Sequence, residues 1–192
     1  MNAVRILPRV LAALCLAASA AAAEDDAIRK APAVAAAAAT AEDDAVLKDP
    51  AERQRVEAAL PAEAPAKPLR PRRLLIFDRN VGYGGHRSIP TANYAFKRMG
   101  EKTGAFETVI SRDPAVFRRD SLGRFDAVFL NNTVGNLFAD AELRRNLQEF
   151  VCGGGGLMGV HGTSVGFTQW PGAKEDWPEF ARMIGARGAA HR

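Results

Sequence analysis

Cysteine is nearly absent from this sequence. Of 192 residues only Cys15 and Cys152 are cysteines. Cys15 lies in a leader expected to be removed, so the mature chain has no internal disulfide and depends on its core. No apolar run reaches the roughly 20 residues that a membrane-spanning helix needs. No GxxxxGK[ST] phosphate loop occurs, and no concentrated basic face marks a nucleic-acid footprint. The one cationic cluster, RPRR at Arg70–Arg73, reads as a solvated hinge. Nucleic acid is therefore not an expected partner, nor is the membrane once the leader is cleaved.

The leader is MNAVRILPRVLAALCLAASAAAAEDD. Arg5 and Arg9 precede an apolar stretch from Val10, followed by small residues with an Ala-x-Ala region ending near Ala23. That order predicts a cleavable secretory signal over residues 1–23 and a periplasmic or secreted protein. Leu14 stands where a lipoprotein signal would carry a small residue. Cleavage removes two arginines and no acid, so the formal net charge falls from +4 to +2. Residues 24–71 are rich in Ala, Pro, Glu and Asp and read as a linker. Within it, DPAERQRVEAAL predicts a short helix capped by Asp49 with Pro50 at its first position, exposed or loosely docked.

From Arg72 the pattern alternates. RLLIFD, FETVIS, DAVFLNN and GLMGVH read as buried strands. TANYAFKRMGEKTG, DAELRRNLQEFV and DWPEFARMIG read as helices, the first ended by Gly100 and Gly104 and the last capped by Asp176. In the second, Leu143, Leu147, Phe150 and Val151 fall on one face. The alternation predicts a three-layer α/β fold, a parallel sheet with helices on both faces and ligands at the carboxyl ends of the strands.

The loops at those ends carry the chemistry. RNVGYGGHRSIPT, after the first strand, brings three glycines, His86, Arg87 and Ser88 to a helix start. NNTVGN, after the third, offers Asn131, Asn132 and Thr133, groups that both donate and accept hydrogen bonds and so suit a polyhydroxylated ligand. GGGGLMGVHG divides in two. Gly153–Gly156 form a helix stop at the edge away from the ligand. His161 sits at the sharp turn that ends the strand, where a nucleophile elbow would carry serine or cysteine. Cys152 precedes the glycines and is expected to be a small buried hydrophobe. His86, His161 and His191 are the candidate ligands for a divalent metal and the candidate proton carriers. Trp170 is a candidate sugar-stacking platform, and Trp177 is expected to act more as a hydrophobic lid.

LLIFDRNVGYGGHRSIP, FDAVFLNNTVG, LQEFVCGGGGLMGVHG and DWPEFARMIGA, in that order, resemble the trehalose-utilisation (ThuA-like) family from Arg72 to about Ala186. The resemblance implies a flavodoxin-like sheet related to class I glutamine amidotransferases, with trehalose or related, often oxidised, glycosides as substrates. Residue by residue it points to His86, Asn132, Thr133 and His161. Relatives often follow the elbow histidine with a threonine–aspartate pair. Here Gly162-Thr163-Ser164-Val165 follows, which keeps Thr163 as a candidate and lacks the carboxylate, for which Asp176 or Glu179 could substitute. Relatives also continue beyond GARGAAHR, so residues 72–192 are expected to form the N-terminal part of the domain, with an uncovered sheet edge.

These readings predict a sugar-processing enzyme of hydrolase or lyase type, with His161 as base or metal ligand, His86 assisting, and Asn131, Asn132, Thr133, Ser88, Thr163 and Trp170 holding substrate. The alternative is a non-catalytic carbohydrate-binding module of an envelope assembly. A third reading, amidotransferase-like activity, is opposed by the missing elbow cysteine. The oligomeric state stays open.

Overall fold

The computed structural model describes residues 47–168 and 176–188. Four five-residue strands, β1 (Arg73–Phe77), β2 (Glu107–Ser111), β3 (Ala127–Asn131) and β4 (Gly156–Val160), pair in parallel in the order β2-β1-β3-β4. Five helices accompany them: α1 (Pro50–Ala59), α2 (Ile89–Thr103), α3 (Arg119–Leu122), α4 (Ala141–Cys152) and α5 (Pro178–Ile184). The order is that of a flavodoxin-like sheet, with its switch point between β1 and β3.

Alternate residues of each strand enter different cores. Leu75, Phe77, Val128 and Leu130 join Leu143 and Leu147 of α4, Phe180 of α5, and Phe117 in one cluster. Leu74, Ile76 and Phe129 face the other way and meet Phe96 of α2 and Phe106. The helices thus cover both faces, completing three layers. Both edge strands depart from the expected burial: in β2 only Ser111 is buried, and in β4 Met158 and Val160 are exposed.

Local chemistry explains the helix ends. The Asp49 and Asp140 carboxylates accept from Ala51 and Glu142 N–H and cap α1 and α4. Gly104, at φ 64, ends α2. Gly100 does not end it: a Cβ there would overlap the Phe106 carbonyl, so this glycine lets the chain leaving α2 pack back against the helix. Asp176 does not cap α5 either. Trp177 occupies that position, and the Asp176 carboxylate pairs with Arg187 at 2.7 Å.

Cys152 is exposed, contrary to the expected burial. It lies nine residues beyond buried Leu143, half a turn around α4 from the face on the sheet. Gly153 follows as the C-cap, and a Cβ at Gly155 would overlap the Phe150 ring, so the glycine run is a stop and a tight entry to β4.

α1 has no buried residue, yet polar contacts dock it on α2. Glu57 accepts from Arg98 at 2.5 Å and from the Tyr94 hydroxyl at 2.8 Å, and Glu52 accepts from Thr91 at 2.6 Å. The Arg98 and Tyr94 hydrogen bonds hold the Glu57 carboxyl below its ordinary value of 4.5.

Candidate functional site

The loops after β1, β3 and β4 are joined by backbone bonds. Val81 N–H donates to the Val134 carbonyl at 3.0 Å, and Phe167 N–H donates to the Gly135 carbonyl at 3.0 Å. Gly135, at φ 89, lies so close to the Val81 carbonyl that a Cβ would overlap it. This lashing brings together two histidines that are 75 positions apart in the chain. The His86 and His161 ring centroids stand 4.5 Å apart, edge to face, with His86 half-buried and His161 exposed.

His161 follows the last residue of β4 and has φ 47, left-handed backbone that a non-glycine residue seldom adopts. The elbow around it is tight. A Cβ at Gly159 would overlap the Thr163 side chain, and one at Gly162 would stand 2.8 Å from Val134 Cγ2. Ser164 Oγ donates to the His161 carbonyl at 3.1 Å and closes the turn. The imidazole is therefore carried on a constrained turn rather than on a loose loop.

A chain of buried carboxamides links the end of β1 to the end of β3. Asp78 is bound by the Arg112 guanidinium at 2.8 Å and accepts from Asn93 Nδ2 at 2.7 Å. Asn131 Nδ2 donates both to Asn93 Oδ1, at 2.8 Å, and to the Ile89 carbonyl, at 3.0 Å. Asn132 Nδ2 donates to Asn131 Oδ1 at 2.9 Å. A carboxylate and a backbone carbonyl only accept, so they dictate which way each amide points. Asn132 Oδ1 is left buried and without a hydrogen-bond partner among the described residues.

The candidate site residues divide accordingly. Asn131, Thr133 and Thr163 are buried and engaged within the fold. Thr163 Oγ1 donates to the Leu130 carbonyl at 2.8 Å and lies 3.3 Å from the Thr133 hydroxyl. Ser88 is exposed at the start of α2 and makes no capping bond. Trp177 is buried against Phe138, Phe167 and Phe180. Asp176 pairs with Arg187 and Glu179 with Arg182. Trp170 and His191 lie outside the described residues. Among the described residues no group of three His, Cys, Asp or Glu side chains gathers to hold a metal ion.

Sequence reasoning misses four residues. Tyr83 places its ring centroid 5.2 Å from that of His86, and Asp78 and Asn93 anchor the amide chain. Arg144 binds Asn136 Oδ1 at 3.1 Å and lies over the Phe167 and Trp177 rings, tying the β3 loop to the segment after the elbow. An aromatic among glycines and an asparagine within an amphipathic helix are the signals that point to Tyr83 and Asn93.

The family model for ThuA, trehalose utilisation, matches residues 73–192. The chain belongs to the ThuA family. Among solved structures it is similar to a ThuA-like protein from Bacteroides uniformis, with 17% identity and a TM-score of 0.45. That match covers 62% of this chain and 46% of the other, so the chain spans less than half the length of that relative. No curated protein matches the sequence. ThuA membership supports a general role in sugar utilisation.

Proposed function

We propose that this ThuA-family chain is an exported sugar-processing enzyme acting on trehalose or a related glycoside, its keto forms included. The observation that carries the reading is the His86–His161 pair, 4.5 Å between ring centroids, at the carboxyl ends of parallel strands. Imidazole both accepts and donates protons near neutral pH. For hydrolysis, His161 takes a proton from water as the water oxygen bonds to the anomeric carbon, and His86 delivers a proton to the glycosidic oxygen as its bond to that carbon breaks. Positioned acid–base help of this kind contributes roughly 10²–10⁴-fold in rate. The same two imidazoles are the candidate ligands for a divalent metal, which would polarise a substrate oxygen and would need a further ligand beyond them. The Arg5, Arg9 and Ala-rich leader supports periplasmic or secreted placement.

The test is a screen of unmodified and keto disaccharides with purified full-length protein, with metal analysis of the same sample, repeated on His161→Ala. Turnover that disappears in the variant, with unchanged circular dichroism, is the expected result. Unchanged turnover removes His161 from the chemistry. Binding without turnover that survives loss of His161 favours the carbohydrate-binding module.

A further inference from the structure

Tyr83 is the one aromatic among the exposed large hydrophobic residues of the described chain, at 42% exposure. A single exposed apolar side chain is ordinary on a protein surface. This one is distinguished by its neighbours: its ring centroid is 5.2 Å from that of His86, which in turn packs on His161. Three rings thus run in sequence across the carboxyl ends of β1 and β4.

The loop leaves the Tyr83 ring partly exposed beside His86. Gly82 and Gly85 have φ 72 and 83, and a Cβ at Gly84 would meet nothing within 4 Å. Left-handed backbone at Gly82 and Gly85 turns the chain on both sides of Tyr83, and the space beside Gly84 is open. An open aromatic face beside polar imidazoles matches one ligand chemistry well. A pyranose has an apolar C–H face and a hydroxyl rim, and the electron-rich face of an aromatic ring favours polarised C–H groups.

We propose that Tyr83 is the stacking platform of this site, receiving the C–H face of a pyranose ring while the histidine pair meets its hydroxyl edge. The inference rests on the sugar-processing reading above and extends it by assigning the platform. Trp177 is buried in an aromatic cluster and does not offer an open face.

The test uses saturation-transfer NMR and titration with trehalose and its keto form, on the full chain. Irradiating aromatic protons should enhance the C–H protons of one sugar face in the wild type. Tyr83→Ala should weaken binding about tenfold, the scale of one aromatic contact face, with an unchanged thermal midpoint. Tyr83→Phe, which keeps the ring, should bind within about twofold of wild type. If Tyr83→Ala binds like wild type while His161→Ala does not, the platform assignment falls and the histidine site stands. The platform assignment falls equally if Trp170→Ala alone removes binding. Failure of the wild type to bind either sugar overturns both readings.

Discussion

Asn132 and His161 occupy equivalent places on neighbouring strands. Each directly follows a residue of the last β3–β4 pair, Asn131 opposite Val160, and each has left-handed backbone, φ 53 and 47. Two non-glycine residues in this region side by side are held there by the surrounding turns, at a cost of about 1 kcal/mol or more each. At position 161 the strain comes with the imidazole, so the two can be separated. His161→Gly should unfold in urea at equal or up to ~1 kcal/mol higher free energy than wild type, with sugar turnover lost. His161→Ala keeps the strain and should be the less stable of the two variants. The reverse order would refute strain at the elbow.

Gly135 is where the loops after β1 and β3 touch. At φ 89, with the Val81 carbonyl where its Cβ would lie, it tolerates no side chain. Gly135→Ala should cost about 3 kcal/mol through overpacking and backbone strain. It should also displace the His86 loop from the elbow. Denaturant unfolding reads the first effect, and the His86 and His161 imidazole NMR signals read the second. A cost below ~1 kcal/mol would mean that the loops part easily.

The elements most legible in the sequence are those fixed by local chemistry. RLLIF and AVFLN are continuous apolar runs because both faces are covered, and the structure ends them within a residue or two of the expected limits. Asp49 caps as expected, its carboxylate accepting from Ala51 N–H; Asp140 caps α4 in the same way, though the sequence reading names no cap there. Asp176 departs from its expected capping role because Arg187, eleven residues on, takes its side chain. Cys152 departs from its expected burial because the helical period sets it half a turn around α4 from Leu143, and the expectation weighed only the apolar character of its side chain. The approach of His86 to His161 is not legible: it depends on strand order and on the Val81–Val134 and Phe167–Gly135 backbone bonds.

Asn93 tests whether the amide chain is structural support for the site. It is fully buried in α2 and is held between the Asp78 carboxylate and Asn131. Asn93→Leu keeps the volume and removes both contacts, leaving an Asp78 oxygen with a single weaker donor, Arg112 Nη2 at 3.3 Å. The expected loss is about 2 kcal/mol of unfolding free energy. Asn131 retains the Ile89 carbonyl, so the Asn132 amide should keep its orientation and ligand affinity should change less than about threefold. A large affinity loss with unchanged stability would place Asn93 in binding rather than beneath it.

The seam between α1 and α2 should respond to acid in a defined direction. Hydrogen bonds from Arg98 and then Tyr94 lower the Glu57 carboxyl below 4.5. The folded form therefore prefers the ionised carboxylate. The contribution is present above pH 4.5 and is lost as pH falls through the lower folded value. Hydrogen exchange of the Ala51–Ala59 amides should accelerate relative to the β1 amides over that acid window, after correction for intrinsic rates. The pair is partly exposed, so the change should be modest, about two- to threefold, and should shrink in high salt. Glu57→Gln should show faster exchange already at pH 7 and little further change below pH 4.5. A helix whose exchange ignores both the substitution and the acid would have to be held by something other than this carboxylate. The buried Leu60 beside its C-terminal end, at 9% exposure, would then be the anchor to remove.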